Sequence, residues 1–289
     1  MANILITGAN GQLGSEFQKR TFSLLDEIFY TDIEELDITD LRAVISFVER
    51  NDIDTIINCA AYTAVDRAEE DAERAAKINR DAVKNLATAA TRLGCLLVHI
   101  STDYVFDGQQ DHPYTEKDTP NPQTVYGRTK WEGEQAIRES GCMHIIIRTA
   151  WLYSEFGNNF VKTMLRVGSE REDLNVVHDQ LGSPTYAGDL ADAIIKILER
   201  DDLPEHEGTY HYSNEGICSW YEFAKEIMKL GEKDCEVHPI TTAEYPTKAQ
   251  RPAYSVLDKT KMKETFGVEV PEWRTSLRGV VEKLCARGC

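Results

Sequence analysis

Asn3-Ile4-Leu5-Ile6-Thr7-Gly8-Ala9-Asn10-Gly11-Gln12-Leu13-Gly14-Ser15 is the stretch on which the fold turns. A short apolar run, Ile4 to Ile6, reads as a strand buried on both faces, the mark of a parallel sheet covered by helices. Three glycines follow at once, and the chain then opens a helix from Ser15. Glycine lets the backbone turn sharply and come close to a pyrophosphate, while the free amides and positive end of a helix N-terminus attract its charge. The spacing is G-x-x-G-x-x-G rather than G-x-G-x-x-G, so the glycines are informative chiefly because of the strand before them and the helix after them. Gly8, Gly11, Gln12, Leu13 and Gly14 are thus candidates to hold a dinucleotide, NADPH or NADH.

Working outward, the same alternation continues. Glu27 to Tyr30, Thr55 to Ile57, Leu96 to Ile100 and His144 to Ile147 are further short apolar runs, separated by helical patterns. Ala75, Ile78, Ala82, Leu86 and Ala89 recur at helical steps between Asp71 and Leu93, and Gly94 is placed to end that helix. The expected fold is α/β, a Rossmann-like doubly wound parallel sheet over residues 1–150, with a return segment near 175–200. Residues 151–289 are expected to form mainly a smaller α/β substrate-binding lobe, with a helix from Ser219 to Leu230. Asp32 lies 18 positions after Gly14 at the end of the second strand, near the offset at which an acid contacts the adenosine ribose. A carboxylate there repels a 2′-phosphate and favours NADH, although Asp32 in another orientation leaves NADPH open. Asp37 and Ile38 are placed to border the adenine.

Composition narrows the partners. Among 289 residues, 32 Lys and Arg face 49 Asp and Glu, a formal net charge of −17. Such a chain is poorly suited to gripping nucleic acid or an anionic membrane. At 42% hydrophobic residues it has enough apolar material for a core, yet no run approaches the ~18 residues of a membrane span. The first strand begins at Asn3, leaving no room for a signal peptide, and the seven cysteines are scattered without a C-x-x-C. The expectation is a cytoplasmic protein with reduced thiols. Cys285 and Cys289 share a helical spacing, and the histidines show no metal pattern.

Chemistry enters at Tyr126-Gly127-Arg128-Thr129-Lys130. A phenol and an ammonium at i and i+4 share one helix face, and a nearby ammonium lowers a tyrosine pKa toward the working range. A second copy, Tyr221 to Lys225, reads as a structural helix. Context favours the first. The strand ending at Ile100 delivers Ser101-Thr102-Asp103 to the carboxyl edge of the sheet, where ligands bind in such folds, and the loop Asp107 to Gln123 follows. Asn58-Cys59-Ala60-Ala61 ends a neighbouring strand with residues small enough for a cofactor to lie against them.

The glycine loop, Asn58 to Ala61, Thr102, Tyr126 and Lys130 together resemble the extended short-chain dehydrogenase/reductase superfamily. The finer pattern resembles the dTDP-4-dehydrorhamnose reductase family. It is carried by Ala61 to Asp66, Ser101 to Phe106 with Gly108, Tyr126-Gly127 with Thr129-Lys130, Gly133-Glu134, Arg148 to Tyr153, Asn158 to Phe160, Asp179-Gln180 with Gly182 and Pro184-Thr185, Ser219 to Tyr221, Tyr245 to Thr247 and Arg251-Pro252. These stretches span nearly the whole chain.

The resemblance implies NAD(P)H-dependent reduction of the C4 ketone of dTDP-4-dehydro-β-L-rhamnose to dTDP-β-L-rhamnose. By motif position, Tyr126 protonates the new alkoxide, Lys130 tunes Tyr126 and holds the nicotinamide ribose, and Thr102 bonds the carbonyl oxygen. The cofactor is lined by Gly11, Gln12, Leu13, Asp32, Asp37, Ile38, Ala60, Ala61, Tyr62 and Thr63. Trp151 packs on the sugar, with Asp103, Asn159, Gln180 and Arg251 as further substrate contacts. Arg251 suits a diphosphate clamp, the other reading being a pair with a surface carboxylate.

Some members of this family hold magnesium with glutamates at a dimer interface. Glu16 matches one such position, but Gly188 stands where another glutamate would fall. No metal is therefore expected to be required, activity is expected to survive excess EDTA, and both a monomer and a homodimer stay open. Two competing readings remain. One is an epimerase or 4,6-dehydratase of the same superfamily, although a dehydratase is expected to carry an acidic pair after its threonine and here Tyr104 follows Asp103. The other is a regulatory subunit like that of methionine adenosyltransferase, which the intact Thr102, Tyr126 and Lys130 set disfavours.

Overall fold

The computed structural model describes residues 2–20, 22 and 27–286. In chain order the elements are β1 (Asn3–Thr7), α1 (Gln12–Gln18), β2 (Glu27–Thr31), α2 (Leu41–Arg50), β3 (Thr55–Asn58), α3 (Val65–Ala68), α4 (Ala72–Ala76), a π-helical segment (Lys77–Asp81), α5 (Ala82–Leu93), β4 (Leu96–Thr102), α6 (Val125–Ser140) and β5 (His144–Thr149). There follow β6 (Leu152–Tyr153), α7 (Phe160–Glu170), β7 (Asp173–Val177), β8 (Leu181–Gly182), β9 (Thr185–Tyr186), α8 (Ala187–Leu198), β10 (Gly208–His211), β11 (Cys218–Ser219), α9 (Trp220–Leu230), β12 (Glu236–Ile240), α10 (Thr260–Phe266) and α11 (Trp273–Ala286).

The central sheet has six strands in the order β10-β5-β4-β3-β1-β2, all paired in parallel. Alternate side chains of each strand feed opposite cores. Ile4, Ile6, Ile57, Val98, Ile145 and Ile147 pack under α1, α8 and α10 on one face. Leu5, Ile56, Leu97 and Ile146 pack under α2, α5 and α6 on the other. Each such aliphatic side chain contributes about 1.5–3 kcal/mol when fully buried. The doubly wound parallel sheet expected from the sequence is therefore present. Its strand order reverses between β1 and β3, which opens a crevice at their carboxyl ends, the place where such sheets bind ligands.

Two departures from the sequence expectations bear on the site. The helix from Asp71 to Leu93 is interrupted by the π-helical segment, whose extra residue shifts the buried face. Asn79 is consequently fully buried, while Ile78, expected in the apolar stripe, is only half-buried. Gly94 ends α5 in the left-handed conformation, as expected. The sixth strand, β10, lies beyond the expected return segment and pairs Tyr210 with Ile147. The chain after Ala150 also builds a second core from α7, α9, α11, β7 and β12, with Trp273 and Phe223 fully buried.

Ser219 caps α9 in a reciprocal capping box with Glu222. Lys225 of that helix lies over the Tyr221 ring, so the second Tyr–Lys copy is spent on packing. Among the described residues no helix is long and apolar enough to cross a membrane. Cys285 is free and exposed, and Cys289, which shares its helical spacing, lies outside the described residues.

Candidate active site

The glycine loop shapes one end of the crevice. Gly8 has φ +66°, and a Cβ there would lie 2.6 Å from the backbone nitrogen of Ala60. Only glycine lets the loop after β1 lie so close to the chain leaving β3. Gly14 packs beneath the loop, where a Cβ would stand 2.5 Å from the Gly8 carbonyl oxygen, and it lines neither of the two cavities of the crevice. A cavity of about 290 Å³ is lined by Gly8, Gly11, Asp32, Asp37, Ile38, Ala60 and Ala61. Leu36 and Ile78 lie on its wall as well; neither was named as a site residue from the sequence, where Ile78 was read only as part of a helix stripe. Asp32 accepts from the backbone amides of Asn10 (3.1 Å) and Ile33 (2.8 Å), so this carboxylate fixes the turn as well as facing the cavity. Asp37 accepts from the Thr39 amide at 2.9 Å, and bonds to Thr39 hold its carboxyl below the usual range.

A larger cavity of about 600 Å³ continues from the first, sharing Gly11, Cys59 and Ala61 with it. Gln12, Leu13, Thr63, Thr102, Asp103, Tyr126, Lys130, Trp151 and Asn159 all line it. Helix α6 brings Tyr126 and Lys130 there. Thr124 caps it, accepting from the Gly127 amide at 3.0 Å. A Cβ on Gly127 would collide with the Tyr104 carbonyl oxygen, so glycine allows the helix to press against the turn after β4. That contact sets Tyr126 beside Thr102, whose side chain acts to lower the phenol's pKa.

The Thr102 hydroxyl donates to Asp103 Oδ1 at 2.9 Å and accepts from the Tyr104 amide at 3.2 Å. Burial pushes the Asp103 carboxyl up to about 6, against bonds from Ser255 and Thr102. It also pushes the Tyr126 phenol up to about 12, with Thr102 opposing. This corrects the expectation of a lowered tyrosine pKa. Lys130 Nζ donates to the Ile100 carbonyl at 2.6 Å and lies 3.3 Å from His99 Nε2, and burial pushes it down to about 8. In the ligand-free chain the sheet edge therefore engages Lys130, while Tyr126 keeps its proton at neutral pH.

Several positioning groups were not legible beforehand. Buried His99 and Asn58 connect Lys130 to Thr7. Asn79, exposed to neither solvent nor cavity, accepts from the Tyr62 amide (2.8 Å) and donates to the Tyr62 carbonyl and to Thr129 Oγ1. It ties the loop after β3 to α6. The Tyr62 hydroxyl donates to Asp71, and Tyr62 lines neither cavity, unlike its neighbours Ala61 and Thr63. A signal for His99 did exist, since a polar residue inside an apolar strand needs a partner.

The later part of the chain closes the large cavity. Trp151 has φ +48°, an uncommon conformation for a bulky residue. Its ring stacks on Trp220 with centroids 3.6 Å apart, and Trp220 also lines the cavity. Asn159 is more a brace than a free contact. Its Oδ1 accepts from Lys162 N to cap α7, and its Nδ2 donates to Gln12 Oε1 at 2.9 Å. Gln180 is buried and donates to Thr242 Oγ1 at 3.0 Å. Arg251 makes a paired contact with Asp66, at 2.5 and 3.2 Å, so the carboxylate-pair reading is realised. Gln180, Arg251, Tyr104 and Trp220 nevertheless share an adjoining cavity of about 390 Å³.

The residues at the magnesium position of some relatives do not fit a metal. Glu16 pairs with Arg20 at 2.8 Å and accepts from the Tyr186 hydroxyl at 3.3 Å. A side chain at Gly188 would collide with the Tyr186 ring and lie 2.6 Å from the Arg20 guanidinium. The Arg20 guanidinium therefore already neutralises Glu16 beside Gly188. Among the described residues no cluster of three ligating side chains is found.

A parallel sheet with its crevice at the β1/β3 switch point, and a Thr–Tyr–Lys set on the wall of the adjoining cavity, is the architecture of Rossmann-type proteins of the short-chain dehydrogenase/reductase kind. Within that class the chain belongs to the dTDP-4-dehydrorhamnose reductase family. The family model described as RmlD substrate binding domain matches residues 1–286. A dTDP-4-dehydrorhamnose reductase of Aggregatibacter actinomycetemcomitans is 44% identical, with 97% of this chain and 98% of that protein covered. A crystal structure of a dTDP-4-dehydrorhamnose reductase from Clostridium acetobutylicum is 48% identical and superimposes with a TM-score of 0.94, covering 98% of this chain and 99% of the other. The Bacillus anthracis enzyme of that name, solved in complex with NADP, is 41% identical with a TM-score of 0.93 and covers 98% and 100%.

Proposed function

We propose that this protein is a reductase that uses NADPH or NADH to reduce the C4 ketone of dTDP-4-dehydro-β-L-rhamnose to dTDP-β-L-rhamnose. The observation that carries the reading is the placement of Thr102, Tyr126 and Lys130 on one cavity wall, continuous with the glycine-loop cavity. It stands in a chain similar from end to end to reductases of that name, one of them bound to NADP. The cofactor has room: the glycine-loop cavity and the larger one share Gly11, Cys59 and Ala61 and run on from each other.

A reduced nicotinamide bound there supplies the hydride. The chain's own residues supply the rest. As the carbonyl oxygen gains charge, the donors Tyr126 and Thr102 stabilise it more than they stabilise the ketone. A phenol pushed up to about 12 stays protonated at neutral pH and is therefore ready to donate its proton to the new alkoxide. Lys130 is placed to turn from the Ile100 carbonyl toward ribose hydroxyls, and its charge then steadies the phenolate left on Tyr126. In the ligand-free chain Asp103 holds the single Thr102 proton, so Thr102 donates to the carbonyl oxygen only once that hydroxyl turns away from Asp103. The Trp151–Trp220 stack walls off the sugar side and excludes water. Arg251, at the rim of the adjoining cavity, is assigned to the diphosphate, exchanging one oxygen pair for another as it leaves Asp66.

The six described cysteines are all free, which supports a reducing compartment, the cytoplasm. The protein is read as a monomer or homodimer acting on a dTDP-sugar, without nucleic-acid or membrane partners. The decisive test incubates purified protein with the 4-keto sugar nucleotide and NADPH or NADH in turn. Stoichiometric cofactor oxidation with dTDP-rhamnose as product is expected. Turnover without net oxidation would point to an epimerase or dehydratase. Inertness together with capture of a synthetase would point to a regulatory subunit.

A further inference from the structure

Beneath the cavity floor a buried polar chain crosses the carboxyl edge of the sheet: Thr7 at the end of β1, Asn58 at the end of β3, His99 in β4 and Lys130 on α6. Thr7, Asn58 and His99 are essentially without solvent exposure, and Lys130 is 2% exposed. The hydrogen-bonding capacity of each group then fixes the direction of every proton in the chain.

Asn58 Oδ1 lies 3.1 Å from the Ala60 backbone nitrogen and 2.8 Å from Thr7 Oγ1. A backbone amide can only donate, so the Asn58 atom facing Ala60 is the carbonyl oxygen, and the amide cannot be reversed without setting two donors against each other. Asn58 Nδ2 therefore donates to His99 Nδ1 at 3.0 Å. A ring nitrogen that accepts carries no proton, so the neutral ring is the Nε2–H tautomer. That N–H points at Lys130 Nζ, 3.3 Å away. An ammonium has three donors and no acceptor, so it meets the ring donor to donor. A neutral amine instead accepts from His99 Nε2–H and donates to the Ile100 carbonyl at 2.6 Å.

We propose that His99 is a positioning residue for Lys130: locked by Asn58 as the Nε2–H tautomer, it faces Nζ with a donor and disfavours the ammonium until acceptors brought by a bound cofactor replace it. Burial acts in the same direction on both partners. It holds the His99 ring well below the ordinary histidine range, with the charge of Lys130 a second cause, and it pushes Lys130 down to about 8. The other ionisable groups around Nζ do not account for a lowered value. Glu134, one turn along α6, and the Cys59 thiol after β3 both act to raise it. Arg148 of β5 is already paired with Glu134 at 2.8 Å. Asp103 of the turn after β4 and Tyr126, one turn back on α6, are engaged with Thr102 rather than with Nζ.

The consequence is a lysine held in reserve. Its proton affinity rises when it leaves His99 for ribose hydroxyls, so cofactor binding near pH 8 takes up a proton. The inference rests on the reductase reading only in placing a cofactor beside Lys130, and its core concerns the ligand-free chain.

The test is nitrogen and carbon NMR of the ligand-free protein, labelled at histidine rings and at lysine Cε. The His99 and Lys130 signals are assigned by their loss in His99→Gln and Lys130→Met. A protonated Nε2 and bare Nδ1 on His99 at neutral pH are expected, with Lys130 titrating near 8. His99→Phe removes the opposing donor and should move the Lys130 titration upward by about one pH unit, roughly tenfold in proton affinity. Asn58→Asp should do so too, because a carboxylate would draw the ring proton to Nδ1 and leave Nε2 as an acceptor for the ammonium. An Nδ1–H ring or an imidazolium in the unaltered protein would overturn the proposal, and needs no variant to fold. So would a Lys130 titration that stays in place in the folded variants. Absence of reductase activity alone would count against the function and leave these readouts standing.

Discussion

Tyr126 keeps its proton because its phenol is desolvated by burial and the nearest ammonium is turned to the Ile100 carbonyl, so the phenol is an acid before anything binds. Replacing it with phenylalanine removes that acid while leaving the apolar ring that packs edge-on against Tyr104. Tyr126→Phe should bind cofactor with an unchanged Kd and lose roughly two or more decades in kcat; normal turnover in steady-state assays would refute the role. Arg251 is a different case, since its guanidinium already holds Asp66. If it serves the diphosphate, Arg251→Ala should raise KM by about tenfold or more with a smaller change in kcat, as loss of a charged hydrogen bond does. An unchanged KM would leave Arg251 as a structural pair. At this scale the sequence exposed the groups whose chemistry is intrinsic, a phenol and an ammonium one helical turn apart. It concealed those whose meaning is relational. Nothing in Asn58 or His99 alone tells which proton faces Lys130, because that depends on Thr7, 51 positions from Asn58, and on how the backbone amide of Ala60 is turned.

Helix α6 is held to the sheet by glycine as much as by apolar side chains. Gly127 meets the turn after β4, and Gly133 meets the carbonyl of Asn79 in the π-helical segment. Gly127→Ala adds one methyl group against a backbone oxygen. We expect a loss of roughly 1–3 kcal/mol in chemical denaturation, the usual cost of overpacking, together with a fall in kcat as Tyr126 is pushed from Thr102. A variant with full stability would mean that the helix can slide freely. Elements with strong local signals were legible in advance: the strands with β-branched runs, the helix after Ser219 with its capping box, and the stop at Gly94. The π-helical segment was not, because an apolar stripe read at a constant 3.6 residues per turn has no place for an extra residue, and so Asn79 was passed over. The strand β10 was hidden for another reason. Gly208-Thr209-Tyr210-His211 has little strand character by itself and is made into one by the open edge of β5.

Over the whole molecule the buried histidines set the response to acid. His211 is held down to about 3, chiefly by burial and then by Arg148, and His99 is also held well below its ordinary value. A ring whose folded pKa lies below the unfolded 6.5 leaves stability intact above that pH and withdraws it as pH falls from 6.5 toward the folded value. Each contributes a slope of about 1.4 kcal/mol per pH unit in that window. Asp103, pushed up to about 6, acts oppositely between its unfolded value and 6 and offsets one of the two. Urea denaturation at pH 7.5 and pH 5.5 should therefore show lower stability at the acid pH, and equal stabilities would mean that these rings are not buried neutral. Composition had spoken against nucleic-acid and membrane partners, but a net charge of −17 says nothing of how few buried groups govern this response.

The path of the chain has a mechanical meaning of its own. It leaves the main sheet after β5, comes back for α8 and β10, departs again for α9 and β12, and returns once more for α10 before ending in α11 against the second core. Two bodies joined by one linker can swivel in any direction. Two bodies stitched together at several points along a shared boundary cannot. With several crossings between the two cores there is no single hinge about which one could swing freely from the other, and no single cut in the chain would free one half from the other.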